Sequence, residues 1–302
     1  MSVTVNKYVN AIGNDLPRYC FARYFSLIKK MNLNTNFPSI FNKILTPTLY
    51  TITDLNLKKY NILNKEYIME IEKNQSINLQ GNASKGYIQY LNNIITDLRF
   101  DPPAEYYNRC IYNANNNENW IVNGYFQNGD FYGDKRDIIK TFFNLPKLNI
   151  NKDDIVIHCR LTDFIGQNSI IHPDWYLNIL EKENFNKLYI VTDDPSSINF
   201  FKFFEKFKPI IISKSGKEDF HFLMSFEKII CSLSTFCWWA AYLGNAKKIY
   251  VMKHSTDNFL NRLSVSNNKE YINVENDKFI KDYNILKKKR IRKVVENILN
   301  FS

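Results

Sequence analysis

The second half of the chain alternates short apolar runs with amphipathic stretches. Ile155-Val-Ile157, Leu188-Tyr-Ile-Val191, Ile210-Ile-Ile212, Lys228-Ile-Ile-Cys231 and Ile249-Tyr-Val-Met252 are nearly continuous and β-rich, the pattern of strands buried on both faces. Between several of them, residues 174–183, 196–207 and 236–243 carry apolar side chains at helical spacing. Alternation of this kind predicts an α/β fold with a parallel sheet covered by helices. Ligands of such sheets lie beyond the carboxyl ends of the strands. That rule directs attention to the residues that follow each run.

The first half is less regular. Residues 14–31 read as a helix, 48–57 and 60–71 as short strands and turns, and 137–143 as a short helix that ends near Pro146. Asn115-Asn-Asn117 and Asn128-Gly-Asp130 read as turns. The polar stretch 146–154 is the natural boundary, giving a smaller N-terminal α/β domain over 1–148 and a Rossmann-type domain over 149–302. At the C-terminus, 282–301 reads as an amphipathic helix. Ile285, Leu286, Ile291, Val294, Val295, Ile298 and Leu299 form its apolar stripe, beside a basic run from Lys287 to Lys293. Such a helix either packs on the body of the protein or touches an anionic membrane surface.

Composition adds three constraints. A hydrophobic fraction of 45% over 302 residues suits one large domain or two ordinary ones. The net charge of +10 fits nucleic acid, an anionic membrane or a phosphorylated small molecule as partner. No recognised RNA- or DNA-binding motif is present, so nucleic acid is disfavoured. Five cysteines without CxxC spacing, and four histidines that do not cluster with them, argue against a zinc site or a disulfide framework. No stretch has the roughly 18 apolar residues of a membrane span. A cytoplasmic protein, free or peripheral to a membrane, is expected.

Three segments carry chemistry. In Ile157-His-Cys-Arg-Leu-Thr-Asp163, His158 and Arg160 lie two apart and share a side while the chain stays extended. Arg160 at a strand's carboxyl end presents a charged planar fork suited to phosphate; the plainer reading is an ion pair with Asp163. In Ile190-Val-Thr-Asp-Asp-Pro195, Asp193 and Asp194 cap a strand ahead of a helix that starts at Pro195, so helix capping competes with a binding role. The third is Glu218-Asp-Phe-His-Phe-Leu-Met-Ser225 followed by Lys228 to Leu243. Ser232, Ser234 and Thr235 stand between a strand and a helix, where hydroxyls and free backbone N–H groups make a phosphate site. Asp219 could accept hydrogen bonds from a base or sugar, or act as a cap. Trp238 and Trp239 read as packing. No Gly-rich Walker loop and no Asp-x-Asp pair after a strand is present.

These residues resemble glycosyltransferase family 11, the α-1,2-fucosyltransferases. His158-Cys-Arg-Leu-Thr-Asp163 is similar to that family's His-x-Arg-Arg-x-Asp motif. Asp219 to Ser225 and Ser234-Thr-Phe-Cys-Trp-Trp-Ala-Ala-Tyr-Leu243 resemble its later motif, Val122-Asn-Gly-Tyr-Phe-Gln127 its Gly-Tyr-Phe-Gln segment, and Gly13-Asn-Asp-Leu-Pro-Arg-Tyr19 its N-terminal helix start. The matches run in family order over roughly 13 to 245.

The resemblance implies a GT-B-like architecture and inverting, metal-independent transfer of L-fucose from GDP-fucose to a galactose-containing glycan. GDP-fucose is then a substrate, and no cofactor is expected. By the same resemblance Arg160 holds the β-phosphate, and His158 and Asp219 contact the nucleotide, Asp219 on the guanine edge. Ser234 and Thr235 bind phosphate, and Gly13 and Asn14 approach the donor or acceptor. For the general base that inversion needs, Asp163 is the first candidate, and Asp193 or Asp194 the next. Two departures stand out. Leu161 occupies the second Arg position, which implies one phosphate-facing charge fewer. Asn14-Asp15, Pro17 and Arg18 change the N-terminal helix start, which suits a different acceptor. The alternatives are a non-catalytic GDP-sugar or glycan-binding protein of the same fold, or a transferase with another GDP-sugar or acceptor.

Overall fold

The computed structural model describes residues 1–5, 12–35, 44–48, 88–91, 94–97, 104–162, 170–253, 263–266 and 268–275. The chain forms two compact units, Met1–Leu145 and Pro146–Ser302. The readings of 49–57, 60–71 and 282–301 lie outside the described residues, as does Asp163.

In the first unit, β1 (Ser2–Val5) is followed by α1 (Ile12–Lys29), β2 (Asn32–Thr35), β3 (Thr46–Pro47), β4 (Ile88–Leu91) and β5 (Ile94–Asp97). Then come α2 (Ala104–Asn113), β6 (Trp120–Gly124), α3 (Gly129–Gly133), α4 (Arg136–Lys140) and β7 (Phe143–Asn144). Five strands pair in the order β2-β1-β6-β5-β4. All neighbours in that sheet are parallel except the β4–β5 pair. Helix α1 runs two residues further toward the N-terminus than the expected start at 14. Segment 128–130 is not a free turn. Asn128 caps α3 by accepting a hydrogen bond from the Phe131 amide at 2.8 Å, which satisfies one of the orphan donors of the first turn.

An aromatic cluster fills this unit. Phe21 stacks on Phe126 with ring centroids 4.2 Å apart, and both touch Tyr107. Arg23 is buried, and the two terminal nitrogens of its guanidinium donate to Tyr19 Oη, Thr48 and the Phe142 carbonyl. It thereby ties α1 to the β3–β7 pair. Arg18 is also buried, so it presents no charge to solvent.

In the second unit, β8 (Ile155–Cys159), α5 (Pro173–Leu180), β9 (Leu188–Thr192), α6 (Ile198–Lys202), β10 (Ile210–Ile212), α7 (Gly216–Met224), β11 (Lys228–Ile230), α8 (Thr235–Leu243), β12 (Lys248–Lys253) and β13 (Tyr271–Glu275) alternate along the chain. The six strands are all parallel, in the order β10-β9-β8-β11-β12-β13. The α/β reading therefore holds, and each apolar run named above is a strand of this sheet. The helix expected over 196–207 is shorter. It begins at Ile198, and Pro195 lies in the turn ahead of it.

Alternation along β8 and β9 assigns the two sheet faces. Ile155, Ile157, Cys159, Leu188 and Ile190 pack in one cluster with Trp175, Tyr176, Ile179, Phe200 and Phe204 from α5, α6 and the turn that follows α6. The other face meets α7 and α8: Tyr189 touches Phe222, and His158 touches Phe236. Full burial of each such aliphatic or aromatic side chain stabilises the unit by roughly 1.5–3 kcal/mol. Helix α8 is buried nearly all round. Trp238 and Trp239 are both packing residues, and the Trp238 indole N–H is satisfied by the Leu263 carbonyl at 2.9 Å.

Candidate functional site

The strand order places one switch point in the second unit. From β8 the chain moves outward to β9 and β10, then returns to β11 on the other side of β8. Neighbouring crossovers leave β8 and β11 on opposite faces, which opens a crevice at their carboxyl ends, the usual ligand site of such sheets. The segments that emerge there are Arg160 to Thr162 after β8 and Cys231 to Ser234 after β11.

Arg160 shares the even-numbered face with His158, as the two-residue spacing requires. Its side chain is about one-third exposed, and Nε lies 3.8 Å from Asp193 Oδ2. Asp193 also accepts from the Leu161 amide at 2.7 Å, the Thr162 amide at 3.4 Å and the Thr162 hydroxyl at 2.6 Å. The carboxylate after the next strand, Asp193, is thus one partner of Arg160. Leu161 points the other way. It is 1% exposed and belongs to the cluster of α5 and α6. In the odd-numbered alternation the Leu161 side chain faces the core, so this chain presents no charge from position 161 to a ligand.

After β11, Ser234 is the N-cap of α8 with extended backbone, and its side chain makes no capping bond. The Ser234 amide donates to Ser232 Oγ at 3.3 Å, and Ser232 Oγ lies 3.1 Å from His158 Nδ1. The Ser232 hydroxyl can donate to Nδ1 or accept from Nδ1–H, so either neutral tautomer of His158 fits this contact. Burial holds His158 down at about 4, well below the ordinary histidine value; Asp193 opposes the shift and Arg160 adds to it. His158 is therefore neutral near pH 7, a hydrogen-bonding group with no charge to offer a phosphate. Thr235 is half-buried at the first position of α8. Its early N–H groups are helix-terminal donors carrying partial positive charge.

Asp219 sits in the first turn of α7. That helix starts with a capping box in which Ser215 and Glu218 exchange side-chain and backbone hydrogen bonds, as Ser-x-x-Glu spacing dictates. Both Asp219 carboxylate oxygens accept from the Lys214 amide, at 3.1 and 3.2 Å. Burial raises its pKa, and the Lys214 amide counters that. The next residue, Phe220, packs edge-on against Phe236, and Phe236 packs against His158. One aromatic row thus links Asp219's helix to the switch point. Asp194 caps the turn before α6, accepting from Ser196 and from the Ser197 hydroxyl at 2.6 Å; these bonds lower its pKa, Ser196 foremost. The capping role foreseen for this pair thus falls to Asp194.

In the first unit, Gly13 is buried and Asn14 half-buried at the start of α1. Pro17 lies inside the helix and has no N–H to give the Gly13 carbonyl. Asn14 Oδ1 accepts from Gln127 Nε2 at 2.8 Å, so two of the motif-bearing segments meet directly. Phe126 adopts φ 54, a left-handed conformation that costs a non-glycine residue roughly 1–2 kcal/mol. Its stacking on Phe21 and the Tyr132 hydroxyl at 2.9 Å from its carbonyl hold it there. Ser232 as the partner of His158, Asp193 as the partner of the β8 loop, and Gln127 escape reading from sequence, because each acts across 32 or more residues. The Gly-Tyr-Phe-Gln segment was the available signal for the last.

Among the described residues, no group of three or more His, Cys, Asp and Glu converges to hold a metal ion, and no helix is long and apolar enough to cross a membrane.

No curated protein sequence compared with the chain matches it. Among solved structures, Escherichia coli heptosyltransferase WaaC with ADP aligns at 11% identity and a TM-score of 0.44, over 91% of this chain and 93% of that one. An arginine-to-lysine mutant of Arabidopsis thaliana FUT1 in complex with GDP aligns at 11% identity and a TM-score of 0.43, over 85% and 71%. The sequence model of glycosyl transferase family 11 matches residues 22–275, well over half of the chain, and the protein therefore belongs to that family of glycosyltransferases.

Proposed function

We propose that the chain transfers L-fucose from GDP-fucose to a hydroxyl of a galactose-containing glycan, with inversion, an α-1,2 linkage and no metal requirement. The observation that carries this reading is the switch point, where Arg160 and the N-terminus of α8 emerge from neighbouring strands. A diphosphate leaving group gains negative charge as the glycosidic bond breaks. A fixed guanidinium and helix-terminal N–H donors aimed at it favour the transition state over the ground state. In this reading Ser234 and Thr235 supply the helix-start donors, and His158 lends a neutral imidazole to the nucleotide. Asp219 reads the guanine edge with the lone pairs that Lys214 leaves. Gly13 and Asn14 approach the donor or acceptor. A base remains necessary at the acceptor hydroxyl, and Asp163 is retained for it.

The test is a donor panel. GDP-fucose, GDP-mannose and UDP-galactose are each incubated with a β-galactoside acceptor, with and without EDTA. A fucosylated product from GDP-fucose alone, undiminished by chelation, is expected. Transfer from a different donor, or neither transfer nor slow hydrolysis of GDP-fucose across many acceptors, would remove the reading.

A further inference from the structure

We infer that Asp193 is the positioning residue of Arg160, acting on the ligand only through the loop after β8. The inference rests on the diphosphate site proposed above and adds the device that holds its cation in place. Four contacts converge on one carboxylate: the Leu161 amide, the Thr162 amide, the Thr162 hydroxyl and Arg160 Nε. They bind three consecutive residues of the β8 loop to the first residue after β9. A carboxylate accepts such bonds more strongly than a neutral group does, and two of the four are short.

The loop is fastened from the other side as well. Leu161 is sunk in the cluster formed with Trp175, Tyr176 and Leu233. Its backbone faces Asp193 while its side chain anchors in the core. Arg160, between this anchor and the end of β8, therefore has little freedom in its backbone. The Asp193 carboxylate lies 3.8 Å from Nε, the nitrogen nearest the stem, and draws the guanidinium to its side by charge. Preorganisation of this kind is what gives a charged donor its value at the moment of reaction. Asp193 thereby serves neither as the general base nor as a direct ligand of the donor, two roles that its position after a strand made plausible in sequence.

Thr162→Val removes the hydroxyl and keeps the branched shape; Asp193→Asn keeps the shape and weakens the acceptor. The experiment measures dissociation constants for GDP, UDP and inorganic pyrophosphate by calorimetry. It uses the full chain, with Asp193→Asn made in the wild-type and in the Arg160→Ala background, and thermal midpoints recorded for each. Asp193→Asn should weaken every diphosphate by roughly tenfold in the wild-type background, and by less than about twofold once Arg160 is gone. Thr162→Val should weaken them in the same sense. An equal loss in both backgrounds would show that Asp193 touches the ligand itself and overturn the inference. A lowered midpoint with unchanged dissociation constants would reduce Asp193 to a purely structural role and overturn it too. Equal affinity for GDP and UDP with the background dependence intact would sink the GDP reading alone. Failure of wild type to bind any of the three would sink both.

Discussion

Restoring the family's second arginine in this chain, by Leu161→Arg, should damage the protein and leave its ligand affinity unimproved. Leu161 is 1% exposed within a cluster that includes Trp175, Tyr176, Ile179 and Phe204. Losing a buried leucine forfeits about 2–3 kcal/mol of burial. A guanidinium pressed into the same space adds several kcal/mol of uncompensated desolvation, by about the measure of broken buried ion pairs. The sum, about 5 kcal/mol or more, rivals the whole stability of an ordinary domain, roughly 5–15 kcal/mol. Leu161→Met, which conserves volume and apolarity, should cost less than about 1.5 kcal/mol. Urea denaturation followed by tryptophan fluorescence reads both, because Trp175, Trp238 and Trp239 are buried in this unit. GDP titration of the folded fraction reads the other half. A Leu161→Arg protein with a wild-type midpoint and tighter GDP binding would refute the assignment of position 161 to the core.

Three further outcomes follow from the geometry. His158 is neutral in the fold down to about pH 4, whereas an unfolded histidine protonates near pH 6.5. The unfolded state therefore binds the extra proton, and stability is complete above about pH 6.5 and falls as pH drops toward 4. The loss from this group is about 3 kcal/mol across that window, and His158→Gln should flatten that limb in denaturation midpoints measured against pH. Ser232→Ala removes the hydrogen-bond partner of His158 Nδ1 and should cost about 1–3 kcal/mol in urea denaturation, with the imidazole nitrogen shifts displaced from those of the parent. Gly244→Ala sets a Cβ 2.5 Å from the Met224 carbonyl oxygen and 2.7 Å from that of Ala240. Backbone atoms cannot swing aside, so α7 and α8 must part; a loss of about 1–3 kcal/mol is expected from thermal unfolding, with weaker GDP binding because both helices shape the site.

How much of this was legible in the sequence depends on the range of the interaction. The β8, β9, β10, β11 and β12 strands stand out as apolar runs because both faces of the sheet are covered. The switch point follows once their order is known, but the order itself comes from packing among runs that look alike. Arg160 and the start of α8 were readable because a strand end and a helix start are local features. The inward turn of Leu161 was present in the period-two alternation from Ile155 onward, masked by the motif comparison that assigns position 161 to the ligand. Helix α7 was missed as an element although Ser215 and Glu218 carry the spacing of a capping box. The aromatic first half resisted reading because Phe and Tyr occur all along it, which blurs helical and strand periods alike. Pairs such as Asn14 with Gln127 and His158 with Ser232 depend on tertiary proximity alone.

The account's central claim is that a nucleoside diphosphate sits at the switch point, against Arg160 and the start of α8. Hydrogen–deuterium exchange of the full chain with and without saturating GDP tests it most directly. The account predicts that protection is gained at the amides of residues 160–162 and 232–237. GDP binding with exchange unchanged in both segments would contradict it.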